Sequence, residues 1–149
     1  MMTKSKRLLP AAEVAENREK AMAKVFGQCQ QQLLEVQKSL QELLGYREEY
    51  SKRFEMDSKL GMNANRLQDF RMFLHKLNQG IEQQLRVIQA ATRERDKRKQ
   101  EWLLTRTRKE AIGKVVERFA QEELRKENQK EQKDIDEIAR NLARFKDQF

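Results

Sequence analysis

Residues 55–65 read EMDSKLGMNAN, and this stretch holds the strongest turn signal of the chain. It collects an aspartate, a serine, two asparagines and Gly61, which are residues that favour turns. We expect Gly61 to take the left-handed conformation, and Asn63 or Asn65 to cap the segment that follows. A turn over about 57–65 would divide the 149 residues into two long segments.

The segment before the turn carries an apolar seam whose members are separated by alternating steps of three and four residues. Between residues 33 and 54 its members are Leu33, Val36, Leu40, Leu43, Tyr50 and Phe54. Arg47 is the one break in this stretch. Heptad spacing of this kind is the pattern of a coiled coil. The frame continues back to Leu8, so we predict one helix over about 6–56, roughly 75 Å long at about 1.5 Å per residue.

The segment after the turn repeats the seam. Its apolar members are Leu67, Phe70, Leu74, Leu77, Ile81, Ile88, Ala91, Trp102, Ile112, Val116 and Phe119. Arg95 and Arg98 occupy the two seam positions between Ala91 and Trp102. We predict a second helix over about 66–120 that continues towards the C-terminus. Two seams joined by a short turn predict an all-α, antiparallel coiled-coil hairpin, and we assign 1–149 to a single domain.

A turn centred near residue 62 also predicts how the two seams pair. In an antiparallel coil an a position of one helix lies beside a d position of the other. This register pairs Phe54 with Phe70 and Met22 with Trp102. A register shifted by one heptad is the alternative.

The C-terminal end lies beyond this pairing. The polar stretch 121–134 has one apolar residue in fourteen and cannot extend the seam. After it, an amphipathic end over 135–149 presents a new apolar stripe of Ile135, Ile138, Leu142, Phe145 and Phe149. Because Leu8, at the start of the first seam, already pairs with Val116, the first helix has no seam left opposite this end, and we expect this end to overhang the hairpin. It could bind another protein, fold back as a third helix, or pair with a second copy of the chain.

Both tyrosines of the chain lie in YREEY, residues 46–50. Tyr50 falls on the seam, whereas Tyr46 falls at a g position beside it. In an antiparallel coil g faces g, which brings Tyr46 next to Gly80 and close to Phe73. Exposed rings beside a glycine hollow favour a protein interface. The alternative is that these residues only shield the seam.

Composition narrows the choice of partners. The chain has a net charge of +8, a pI near 9.7 and a mean hydropathy of -0.99, with no run that resembles a signal peptide or a membrane span. Positive charge suits nucleic acid, an anionic membrane surface or an acidic protein. The basic run 93–109 has acids interleaved with its lysines and arginines, unlike a basic zipper. We interpret it as a solvated helix face or a contact for an acidic protein, and we do not expect nucleic acid binding.

Catalytic and metal-binding patterns are missing from the sequence. Cys29 and His75 are the single members of their residue types, so no intrachain disulfide and no zinc-ligand framework can form from them. The chain contains no phosphate-binding GxxxxGK loop. We therefore predict a cytosolic, non-enzymatic protein without a cofactor, a metal or a small-molecule substrate.

Five short motifs resemble the flagellar FliJ family, whose members are coiled-coil components of the bacterial flagellar type III export apparatus. They lie in order along nearly the whole chain: CQQ at 29–31, YREEY at 46–50, NRLQDF at 65–70, IEQQ at 81–84 and QKDIDEIA at 132–139. The resemblance implies a stalk similar to the γ subunit of the rotary ATP synthase. Its partners would be the hexameric export ATPase FliI, the export gate protein FlhA and export chaperones.

The resemblance also implies which residues meet each partner. The gate would contact Leu43, Tyr46, Tyr50, Phe73, Leu77, Gly80 and Gln84. The ATPase ring would contact Leu8, Leu9, Val14, Ile135, Ile138, Leu142, Phe145 and Phe149. The protein would then lie in the cytoplasm, at the inner membrane only through the export apparatus. A stalk of a virulence secretion system and a homodimeric coiled-coil scaffold are the competing interpretations.

Overall fold

The computed structural model describes residues 2–148, which form two α-helices and no strand. Helix α1 is Lys4–Lys59 and helix α2 is Ala64–Asp147. This confirms the predicted all-α helical hairpin, and α2 continues unbroken through the polar stretch into the amphipathic end. Over the described residues, neither helix contains a segment long and apolar enough to cross a membrane.

The turn between the helices is shorter than the sequence suggested. Asp57 stays within α1, and its carbonyl oxygen accepts a hydrogen bond from the Leu60 amide at 3.2 Å. Gly61 has a φ of 91°, the left-handed conformation that a side chain disfavours. Asn63 caps α2, because its Oδ1 accepts a hydrogen bond from the Arg66 amide at 2.8 Å. Only four residues, 60–63, therefore reverse the chain direction.

The predicted seam is the less exposed stripe of both helices. Every seam position named above is half-buried or buried, including those occupied by Arg47, Arg95 and Arg98. Among the described residues, only Ala15, Leu33 and Ile81 are buried. Two paired helices can cover only a narrow stripe of each other, so most seam residues keep one side open to solvent.

The chain divides into two compact units, each formed from both helices. The turn unit is Ala21–Trp102, and the terminal unit consists of the described residues of Met1–Lys20 and Leu103–Phe149. The assignment of the whole chain to a single domain stays a prediction.

Pairs of aromatic rings, one from each helix, pack against each other in the seam of the turn unit. The Phe54 and Phe70 rings stack with centroids 3.7 Å apart, in the register expected from the sequence. At the other end of the unit, the Trp102 ring stacks on Phe26 with centroids 5.6 Å apart and an interplanar angle of 5°. The sequence register had placed Met22 opposite Trp102. Phe26 is the next seam residue of α1 after Met22, so Trp102 stacks on a ring one helical turn from its predicted partner.

The seam of the terminal unit is smaller and more polar. Ala15 is the one buried residue among its described residues, and Lys109 Nζ lies 3.9 Å from Glu19 Oε2 across the helices. The Lys4 ammonium lies 5.6 Å from the centre of the Phe119 ring. Charged contacts therefore join the helices of this unit alongside its half-buried apolar residues Leu8, Ile112 and Val116.

Candidate protein-binding surfaces

A groove opens on the g edge of the turn unit, where the sequence predicted an aromatic patch. Its lining residues are Tyr46, Glu49, Tyr50, Arg53, Phe73 and Leu77, around a volume of about 180 Å³. Tyr46 is 61% exposed and Phe73 is 47% exposed. We name this the aromatic groove, and it brings together residues 46 and 73 as expected.

Tyr50 has a different environment from Tyr46. Its ring lies 4.9 Å from Phe70 and 4.3 Å from Phe73, measured between centroids, and the ring of Phe73 is tilted by 44°. Tyr50 is thus a half-buried member of the aromatic seam that also forms one wall of the groove. The four-residue spacing of the two tyrosines places one ring in the seam and the other on the open edge.

The other predicted gate residues fall into two groups. Leu43 and Leu77 are half-buried seam residues, so each packs between the helices and offers only part of its surface. Gln84 is also a seam residue, and its Nε2 donates a hydrogen bond to the Val36 carbonyl oxygen at 2.9 Å. The amide of Gln84 therefore links α2 to α1.

Gly80 leaves the g edge open between helices. A Cβ atom built at this position would have no heavy atom within 4 Å. The predicted hollow beside Tyr46 is therefore shallow open surface with room for a side chain, and a larger residue here would cover the edge without disturbing the helices.

The C-terminal stripe is the second surface. Ile135, Ile138 and Leu142 are each 59% exposed, and Phe145 is 61% exposed. All residues from 124 to 148 are exposed, although 124–147 form regular helix. The steps of three and four place the stripe on one face of α2. Phe149, also predicted for this surface, lies outside the described residues.

The N-terminal residues predicted for the same partner are divided between seam and surface. Leu8 is a half-buried seam residue of the terminal unit. Leu9 is 54% exposed and Val14 is 51% exposed. Only Leu9 and Val14 thus present apolar side chains that a partner could cover fully.

A contact that the sequence pattern did not reveal joins the beginning of α1 to α2. Glu123 Oε1 accepts a hydrogen bond from the Ser5 amide at 3.1 Å, and its Oε2 accepts one from the Ser5 hydroxyl at 2.6 Å. These bonds, chiefly the hydroxyl one, hold the pKa of the Glu123 carboxyl below its ordinary value. We name this contact the clasp. The carboxylate also lies where the helix dipole of α1 favours negative charge.

The basic run forms short ion pairs along its own helix. Arg98 donates hydrogen bonds to Glu94 at 2.9 Å and to Glu101 at 3.0 Å, and these bonds raise the pKa of its guanidinium. Arg106 pairs with Glu110 at 3.2 Å. These pairs fit the interpretation of the run as a solvated helix face, because acids of the same helix occupy part of its positive charge.

Metal-binding geometry is absent from the described part of the chain, where no group of three histidine, cysteine, aspartate or glutamate side chains converges. Cys29 is a half-buried free cysteine, and His75 is exposed near the turn.

Comparison with known proteins agrees with this architecture. The model of the family described as "Flagellar FliJ protein" matches residues 4–147. The flagellar FliJ proteins of Escherichia coli (strain K12) and Salmonella typhi are each 25% identical to the chain over 131 residues, which cover 88% of this chain and 89% of each relative. No solved structure matches. The family model covers nearly the whole length of this helical hairpin. The chain therefore belongs to the flagellar FliJ family and is a component of the flagellar export apparatus.

Proposed function

We propose that the chain is a non-enzymatic stalk of the flagellar export apparatus that binds two partners through separate surfaces. Its terminal ends bind the hexameric export ATPase FliI, and the aromatic groove binds the cytoplasmic part of the export gate protein FlhA. Export chaperones are further partners. The observation that carries the proposal is the C-terminal stripe, which keeps four large apolar side chains exposed on a regular helix.

An amphipathic helix with one apolar face is suited to a hydrophobic groove of another protein. The stripe has anchors at 135, 138, 142 and 145, and Leu9 and Val14 add apolar surface at the other end of the chain. Covering this stripe would contribute a favourable free energy of about 25 cal/mol for each Å² of apolar surface removed from water. We assign it to the ATPase ring.

Binding of this kind couples the stalk to ring assembly. If the stalk binds the assembled ring more tightly than the free subunits, the same free energy must favour assembly. The protein would then raise the hexamer fraction of the ATPase without a catalytic group of its own.

The stripe is tested by titrating the export ATPase with the full-length chain and with a chain that ends at Asp134. The full-length chain should raise both the ATPase rate and the hexamer fraction, and the shortened chain should raise neither. The double variant Ile138→Asp/Leu142→Asp should behave like the shortened chain, because charge at these positions opposes apolar burial.

The matched control is Ala139→Asp/Ala143→Asp, which adds the same charge at the same spacing off the stripe. It should keep the effect of the unmodified chain. Dimerisation of the full-length chain without any effect on the ATPase would instead favour the homodimeric scaffold, and the assignment of the stripe to the ring would be withdrawn.

The aromatic groove is tested with Tyr46→Ala/Phe73→Ala. Both side chains are about half exposed or more, so their loss should leave helicity unchanged while weakening gate binding by about tenfold or more. Met72→Ala is the control, since Met72 is 55% exposed beside Phe73 and does not line the groove. Loss of helicity in the double variant would show the two rings to be structural.

A further inference from the structure

A second groove lies on the same edge of the turn unit. Helix α1 contributes Cys29, Gln32 and Val36, and α2 contributes Val87, Ala91 and Glu94. It encloses about 420 Å³, against about 180 Å³ in the aromatic groove. Gln32 occupies a g position of α1, as Tyr46 does, and Val87 and Glu94 occupy the two g positions that follow Gly80 on α2.

The floor of this groove is apolar and built from small side chains. Ala90 and Ala91 follow one another on α2, and Val87 beside them is 40% exposed. Small residues at these positions leave a depression that larger residues would fill. A medium-sized apolar side chain from a partner therefore finds both space and apolar surface here.

Glu94, the one charged residue that lines this groove, already has a partner of opposite charge. Glu94 Oε1 accepts a hydrogen bond from Arg98 Nε at 2.9 Å, within the same helix. An apolar side chain that entered the groove would therefore not leave this carboxylate without a counter-charge.

The edge between the two grooves is continuous. Gly80 contributes no side chain there, and a Cβ atom at this position would meet nothing within 4 Å. Gln84, the seam residue after Ile81, donates a hydrogen bond from its amide to the Val36 carbonyl oxygen. A partner that covers Tyr46 and Phe73 could thus extend along the same edge without meeting a bulky side chain at 80.

We infer that the second groove is the other half of the gate-binding surface and takes an apolar anchor side chain from the gate protein. The inference rests on the proposed function, because it names the same partner for both grooves. Two anchors along one edge would fix the direction in which the partner lies on the hairpin, which the aromatic groove alone would not do.

The test measures the affinity of the full-length chain for the cytoplasmic domain of FlhA. Ala90→Arg places a long charged side chain over the groove from an exposed position, and it should weaken binding by about tenfold with helicity unchanged. The control is Ala111→Arg, an exposed alanine at the same heptad position of the same helix, which should bind like the unmodified chain.

Cys29 supplies an independent readout, because it lines the groove and is the single cysteine of the chain. Bound gate protein should slow the alkylation of Cys29 by a maleimide, compared with the free chain. If Tyr46→Ala/Phe73→Ala weakens binding but Ala90→Arg does not, and Cys29 reacts equally fast in the complex, the inference is overturned and the proposed function stands. If the unmodified chain does not bind the gate domain, both fail.

Discussion

The leucines of the seam and of the C-terminal stripe have the same spacing but opposite environments. Leu33 is 3% exposed within the turn unit, whereas Leu142 is 59% exposed near the end of α2. Both belong to runs that step by three and four residues. Periodicity therefore identifies an apolar face, and a second face of matching length decides whether it is buried within the chain. An unmatched face is where a partner is expected.

The sharpest way to test this contrast is to shorten both leucines. Leu33→Ala removes a buried side chain and should lower the free energy of unfolding by about 2–5 kcal/mol. Leu142→Ala removes an exposed one and should change it by no more than about 0.5 kcal/mol. Urea unfolding followed by helical circular dichroism measures both. Equal losses would mean that the stripe is covered when the protein is alone.

Replacing a glycine with alanine should lower the stability of the hairpin in the turn and raise it within a helix. Gly61→Ala forces a side chain into a φ of 91° and should destabilise the hairpin by about 1 kcal/mol. Gly45→Ala lies within α1, where a Cβ atom would meet nothing within 4 Å, and should stabilise it by about 0.5–1 kcal/mol. The two shifts in thermal midpoint should therefore differ in sign. A shift of the same sign would contradict the assigned role of Gly61.

The clasp should give the smallest effect, confined to one end of the chain. Glu123→Ala removes both bonds to Ser5 and should speed amide hydrogen exchange in the first turn of α1. Glu122→Ala makes the same change of charge at an exposed neighbouring position and should leave exchange as it was. Equal exchange rates in the two variants would show that the clasp does not stabilise the first turn of α1.

Acid should open the clasp in the unmodified chain. Because folding lowers the pKa of Glu123, its contribution to stability is present above the ordinary value of 4.5 and is lost as the pH falls through the lower folded value. Protection of the Ser5 amide should therefore decrease over that range, and this decrease should be absent in Glu123→Ala. Protection that rises on acidification would contradict the direction of the pKa shift.

Much of the fold followed from the sequence because its signals are local. The three-and-four spacing identified the seam, and Gly61 and Asn63 marked the turn that makes two helices antiparallel. The exposure of Tyr46 and Phe73 also followed, because g positions lie beside a seam rather than within it.

The contacts that escaped prediction depend on side chains far apart in sequence. Glu123 occupies the seam position after Phe119. Because it is charged, the apolar pattern does not include it, although its carboxylate accepts a hydrogen bond from the Ser5 amide at the N-terminus of α1. The Phe26–Trp102 stack depends on the detailed orientation of two rings. Partner identity depends on surfaces outside this chain, so it stays a proposal.

The most direct test of the account measures two variants against two partners. The affinities of Ile138→Asp/Leu142→Asp and of Tyr46→Ala/Phe73→Ala are measured for the export ATPase and for the cytoplasmic gate domain. We predict that the first variant loses the ATPase and keeps the gate, and that the second loses the gate and keeps the ATPase. If either variant loses both partners while remaining helical, or if neither variant loses one, the assignment of separate partners to the two surfaces is contradicted.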